Sequence, residues 1–231
     1  MEYEIYQTRI FGQLKRSLVL ALLPLVFFSS CATAGLLTHE MVCIQLKDHN
    51  DVTETLNTKD RLKRFEKIDF FSPQPYKRVL RIFKNGEEEQ SSSLLTAYHP
   101  NGYIKQYIEG IDRTAKGLYQ EWHLNGELKI EATVVGGPLS LNYNAQKEWL
   151  FDGISKVWND ERVLVAEISY RFGVLEGISS YYYDSGELKK IAPYKNNQLQ
   201  GDVVEYYQQG SIAQKVPYQQ GKKEGDATGY W

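Results

Sequence analysis

A glycine falls every 24 residues, at Gly153, Gly177, Gly201 and Gly225, and a large aromatic follows each by five: Trp158, Tyr182, Tyr206 and Tyr230. Gly117 precedes Trp122 by the same five, and Tyr98 lies 24 before Trp122. A fixed period of this size requires one supersecondary unit, copied and stacked so that neighbours bury a continuous core. Arrays of this kind present surfaces rather than enclose catalytic pockets, which points to binding.

Each unit reads as a β-hairpin. In the copy from Gly177 to Tyr194, alternation puts Ile178, Ser180 and Tyr182 on one face and Ser179, Tyr181 and Tyr183 on the other. Ser185-Gly186 supplies the turn, with Asn101-Gly102, Asn125-Gly126 and Gln209-Gly210 as equivalents. Asn-Gly predicts a type I′ turn, with positive φ at both central residues. The return strands pair Leu188 with Tyr194, Leu164 with Tyr170 and Ile212 with Tyr218 on a common face. A second turn links successive units, as in Gly173–Gly177 and Gly221–Gly225, and Asn197 replaces the first glycine in the copy between. The expected fold is therefore all-β: tandem 24-residue hairpins in an elongated, twisted antiparallel meander over residues 76–231. Residues 31–75 read as a partly helical or disordered tether, with a weak stripe at Leu56, Leu62 and Phe65 broken by Pro73 and Pro75.

The period is interrupted once. Trp122 and Trp158 are 36 apart, one period plus 12, with the surplus around residues 134–148, and Arg162 stands where the hairpin glycine is expected. Insertions in such arrays map to loops, either on the working face or simply tolerated at the surface. The apolar spine is assigned to Trp122, Trp158, Tyr182, Tyr206 and Tyr230. The opposite face carries Tyr119, Tyr181, Tyr183 and Tyr207 among Glu121, Glu205, Lys129, Lys189 and Lys215. That mixture suits a protein-binding surface, and equally a sheet with one wet face.

Other chemistry is thinly represented. With 27 basic and 29 acidic residues the net charge is −2, which excludes electrostatic nucleic-acid binding as an expectation. His99 and His123 follow adjacent anchors and stack 24 apart, but no third ligand shares their register, so no metal and no cofactor is expected. Cys43 and His39 lack a positioned third group. Glu87, Glu88 and Glu89 sit beside Asn85-Gly86 in what reads as a solvent loop. No catalytic residue is assigned, and a small-molecule ligand is not expected.

The N-terminus has a different character. Arg9, Lys15 and Arg16 precede an uncharged apolar run from Ser17, the pattern of an export signal. Phe28-Ser29-Ser30-Cys31 resembles the lipobox of bacterial lipoproteins. That resemblance implies cleavage after residue 30, acylation of Cys31 with palmitate-like chains, and anchoring to a bilayer outside the cytoplasm. The alternatives are a plain signal, a transmembrane anchor over the 21 uncharged residues 17–37, or a buried helix.

The pattern Gly-x4-aromatic-x3-Gly-x-Leu/Ile, at Gly117/Trp122/Gly126/Leu128, Gly177/Tyr182/Gly186/Leu188 and Gly201/Tyr206/Gly210/Ile212, resembles the bacterial variant of the MORN repeat found in YwqK-type proteins. The resemblance covers residues 94–231. It implies structural glycines and aromatics, an elongated hairpin array, and contacts with a protein partner. Proteins of this type are often labelled antitoxins, although an export signal would separate this chain from a cytoplasmic toxin. The reading is a membrane-anchored, non-catalytic protein-binding scaffold. Alternatives are a cell-wall or carbohydrate-associated binder and an antitoxin-like protein.

Overall fold

The computed structural model describes residues 39–85 and 90–229. Seventeen strands among them join one antiparallel sheet. The first are β1 (His39–Lys47), β2 (Thr53–Leu56), β3 (Arg78–Asn85), β4 (Ser91–Tyr98) and β5 (Ile104–Ile111). The middle holds β6 (Thr114–Trp122), β7 (Leu128–Gly136), β8 (Leu150–Trp158) and β9 (Leu164–Arg171). Three further units follow: β10 (Val174–Leu175), β11 (Gly177–Tyr182) and β12 (Leu188–Lys195); β13 (Gln198–Leu199), β14 (Gly201–Tyr206) and β15 (Ile212–Gln219); β16 (Lys222–Lys223) and β17 (Thr228–Gly229). From β3 onwards each strand or unit pairs with the next in sequence, so the sheet is an open meander as expected. It begins earlier than expected, because β1 lies between β2 and β3.

Residues 39–75, read as a tether, are thus largely structured. Ile44 and Leu46 alternate into the core from β1, but the pattern is too short to outweigh the polar stretch that follows. Beyond β2 a short helix α1 (Lys59–Leu62) and a 3₁₀ turn (Lys63–Phe65) fold back over the sheet. The weak helical stripe is the buried side of this cover: Leu56, Leu62 and Phe65 pack with Phe70, Ile44, Val79, Tyr98 and Tyr107.

The two turn types sit at the opposite ends from those expected. At Asn101-Gly102 only the glycine has positive φ (87°), and its N–H donates to the His99 carbonyl. This is a type I turn closed by a glycine bulge, and Gly126, Gly186 and Gly210 repeat it. Arg162 adopts φ 68° in the glycine's place, with its guanidinium on the Glu127 carboxylate. The type I′ turns are the links between units, where Asp112-Arg113, Phe172-Gly173, Asn196-Asn197 and Gln220-Gly221 have two consecutive positive φ values. The periodic glycine, four residues beyond the turn's second residue at Gly117, Gly177, Gly201 and Gly225, is also at positive φ, as is Gly153 after the interrupting segment. At Gly177 and Gly201 the chain leaves the short pairing of β10 or β13 and enters the long strand of the next hairpin.

At Gly117 the demand is conformational and steric: φ is 127°, and an added Cβ would lie 2.7 Å from the Glu109 Cβ. At Gly210, φ is 89° but nothing lies within 4 Å. Gly210→Ala is expected to cost the left-handed penalty alone, about 1–2 kcal/mol. Gly117→Ala should cost distinctly more, and urea midpoints of the two variants compare them directly.

Candidate binding surface and inner cleft

Every long hairpin from β4 onwards bulges just before its aromatic anchor, between Ala97/Tyr98, Glu121/Trp122, Val157/Trp158, Tyr181/Tyr182 and Glu205/Tyr206. The bulge adds a residue to the return strand, so alternation on the anchor's own strand is unbroken. Residues one and three before the anchor share a face, and that face is the inner one. Tyr119, Glu121, Ser155, Val157, Ser179, Tyr181 and Val203 are all buried there.

Beyond Trp122 the faces therefore exchange the roles assigned to them from sequence, while at Tyr98 and Trp122 the anchor side is core as well. Tyr119 and Tyr181, expected on the wet face, are core residues. Tyr183 and Tyr207 belong to neither face but to the hairpin ends. There the residue after three of the anchors reaches the next unit's backbone: His99 Nε2 lies 3.1 Å from the Trp122 carbonyl, His123 Nε2 3.0 Å from the Trp158 carbonyl, and the Tyr183 hydroxyl donates to the Tyr206 carbonyl at 2.7 Å. A carbonyl only accepts, so each Nε2 carries its proton, which is a structural use of the two histidines. Asn101 and Asn125 amides donate to the Leu124 and Asp160 carbonyls in the same ladder. At the opposite end, the Gly173, Asn197 and Gly221 N–H groups donate to the Phe151, Leu175 and Leu199 carbonyls. Both ladders follow from the period, but no residue type announces them.

The anchors lie on the outer face, and their surroundings differ along the sheet. Tyr98 is buried, its hydroxyl donating to the Phe70 carbonyl at 2.9 Å. Trp122 meets Phe71 edge-on, with ring centroids 5.9 Å apart. Both are roofed by the segment that contains α1. Trp158, Tyr182 and Tyr206 continue the row partly exposed, and the Tyr182 hydroxyl donates to Glu167 at 2.8 Å. Leu118, one residue after its periodic glycine, packs against the roofed core. Its equivalents Ile154 and Ile178 are 57% and 59% exposed. Lys156 and Glu167, 4.0 Å apart, sit between these apolar groups.

The inner face has its own cover. The interrupting segment leaves β7 at Gly136, forms the short helix α2 (Tyr143–Gln146) capped by the Asn142 side chain, and returns at β8. Trp149 is driven into the sheet, with its ring 4.9 Å from Tyr119 and its indole N–H donating to the Pro138 carbonyl at 2.8 Å. Beside it lies the buried carboxylate of Glu121. It accepts from the Tyr119 hydroxyl at 2.7 Å and the Gln106 amide at 3.1 Å, and pairs with Lys129 at 3.2 Å. Burial pushes this carboxyl up, but Lys129 and the two hydrogen bonds more than offset it and hold it below the usual glutamate value. A cleft of about 60 Å³ remains between this cover and the sheet, lined in part by Tyr119, Glu121, Trp149, Phe151, Ser155 and Tyr170.

Other sequence candidates fall elsewhere. Cys31, Tyr230 and the Glu87–Glu89 run lie outside the described residues. Cys43 is a half-buried free thiol in β1, its pKa raised by burial, so it is less nucleophilic than an ordinary cysteine. Among the described residues no group of three metal-ligating side chains occurs, and no helix is long and apolar enough to cross a membrane.

Stacked two-stranded units with partly open rows of side chains define a repeat scaffold. Residues 175–196 and 199–220 match the family model described as a MORN repeat variant; these spans are β10–β12 and β13–β15. No curated protein and no solved structure matches the chain.

Proposed function

We propose that this chain is a non-catalytic scaffold that holds a protein partner at a membrane, exported and anchored through acylated Cys31. MORN repeats often bind proteins or membranes. One observation carries the reading: the outer row of anchors packs against the chain's own α1 segment at Tyr98 and Trp122, whereas Trp158, Tyr182 and Tyr206 stay partly exposed beside the exposed Ile154 and Ile178. The open section, with Ile154 and Ile178, offers a partner the kind of contact that Phe70 and Phe71 make further along. Exposed aromatics and aliphatics rimmed by Lys156 and Glu167 have the make-up of a contact site. A glycan-binding reading has one observation in its favour, rings placed one hairpin, about 10 Å, apart.

The test has two arms. Palmitate labelling with membrane fractionation compares wild type with Cys31→Ala, and the label and membrane association should both vanish in the variant. Unlabelled wild-type protein in the cytoplasm would sink the anchoring half. The protein lacking residues 1–30 is then exposed to envelope proteins and to purified sacculi. A protein retained by wild type and lost with Ile178→Asp supports the scaffold, whereas retention by sacculi alone supports the glycan reading.

A further inference from the structure

Two residues that line the inner cleft carry buried hydroxyls without a hydrogen-bond partner in the chain. Ser155 Oγ and the Tyr170 hydroxyl are among the buried polar atoms without a hydrogen-bond partner, in residues only 5% and 7% exposed. Both line the cleft between the α2 cover and the sheet. Leaving such groups unpaired costs about 1–3 kcal/mol each, so a polar partner, either water or a ligand group, is called for here.

The rest of the lining narrows the chemistry. Four aromatic rings stand in sequence around the cleft: Tyr119 to Trp149 at 4.9 Å, Trp149 to Phe151 at 6.4 Å, and Phe151 to Tyr170 at 5.5 Å between centroids. Glu121 contributes the only charge to the lining, and no lysine, arginine or histidine belongs to it. An anion would therefore face a carboxylate and four π systems. A hydrocarbon would leave both hydroxyls unpaired. A cation with N–H donors fits each element: rings attract it through their quadrupoles, and the hydroxyl oxygens accept from it. The Glu121 charge is already shared with Lys129, so rings and hydroxyls carry the discrimination. A cleft of about 60 Å³ has room for the last methylene and the nitrogen of an alkylammonium.

We propose that the cleft formed by the α2 cover and the inner face is a binding site for a primary alkylammonium group, with Ser155 and Tyr170 as its hydrogen-bond acceptors and Tyr119, Trp149, Phe151 and Tyr170 as its aromatic cage. The site lies on the opposite face from the open anchor row and is independent of the partner proposed there. A lysine side chain and a free amine present the same chemistry.

The test titrates the full-length protein with n-propylammonium chloride, with n-propanol as the uncharged match, and with a capped Gly-Lys-Gly peptide. Binding is followed by tryptophan fluorescence at constant ionic strength and repeated with Tyr170→Phe and Ser155→Ala. Tyr170→Phe removes an unpartnered hydroxyl and keeps the ring, so it should fold at least as stably as wild type. The expected result is saturable binding of propylammonium at least tenfold tighter than propanol, weakened about tenfold or more in Tyr170→Phe. Tighter binding of the peptide identifies a polypeptide lysine as the source, and binding of propylammonium alone identifies a free amine. Equal binding of propanol overturns the proposal. So does the absence of saturation, or binding unchanged in both variants, either of which would leave the cleft holding water only.

Discussion

Trp149→Ala should lose about 3–5 kcal/mol of unfolding free energy, the range for truncating a fully buried tryptophan. Trp149 is 1% exposed and packs the interrupting segment onto the sheet against Tyr119 and Phe151, while its indole N–H ties it to the Pro138 carbonyl in the same segment. Its removal leaves that carbonyl without the indole donor and opens the core that contains Ile108, Ala132 and Val134. Trp158→Ala is the internal comparison. That side chain is partly exposed on the outer face, so its loss should shift the urea midpoint much less. A loss from Trp149→Ala as small as about 0.5 kcal/mol would mean that the interrupting segment is a tolerated surface loop.

Glu121→Ala should cost a similar 3–5 kcal/mol, because it removes one member of a buried pair and strands the other. Lys129 keeps its charge with its side chain mostly covered, and the Tyr119 hydroxyl and Gln106 amide lose a shared acceptor. The same carboxylate makes stability depend on pH. Its folded pKa is below the ordinary 4.5, so its contribution is complete above that value and is lost as pH falls through the folded pKa. Wild type should therefore lose more stability on acidification below about 4.5 than Glu121→Gln, which has no proton to take up at that position. Parallel acid slopes in chemical denaturation would show that Glu121 is not the group responsible.

The architecture was legible because its punctuation is chemical. Each periodic glycine occupies a positive φ that other residues reach only with strain, so the 24-residue spacing in sequence is a spacing of backbone conformations. The two faces were harder to tell apart. Anchor size suggested a core, yet Tyr182 lies on the open side while its neighbour Tyr181 is buried. Sequence shows that 181 and 182 oppose one another, but not which way the sheet curls. The polar residues of the inner face misled in the same direction: Glu121 and Ser179 read as wet positions, and their burial depends on hydrogen bonds from Tyr119 two residues back and from strands that only the fold brings near. The cleft was not legible. Ser155 and Tyr170 are 15 residues apart on adjoining strands, and the cover above them comes from the one segment that breaks the period.

The carbonyl ladders at both ends of the hairpins join each unit to the next and reach no further. Under a load applied along the chain, such an array opens like a zipper, each unit peeling away before its neighbour is stressed. The release is uneven, because the stretch roofed by α1 on one face and by α2 on the other binds strands distant in sequence and yields as a block. The uncovered units beyond Trp158 are its compliant end, each paying out about 80 Å of chain as its 24 residues extend. A molecule built this way combines a stiff holding part with an extensible one in a single sheet.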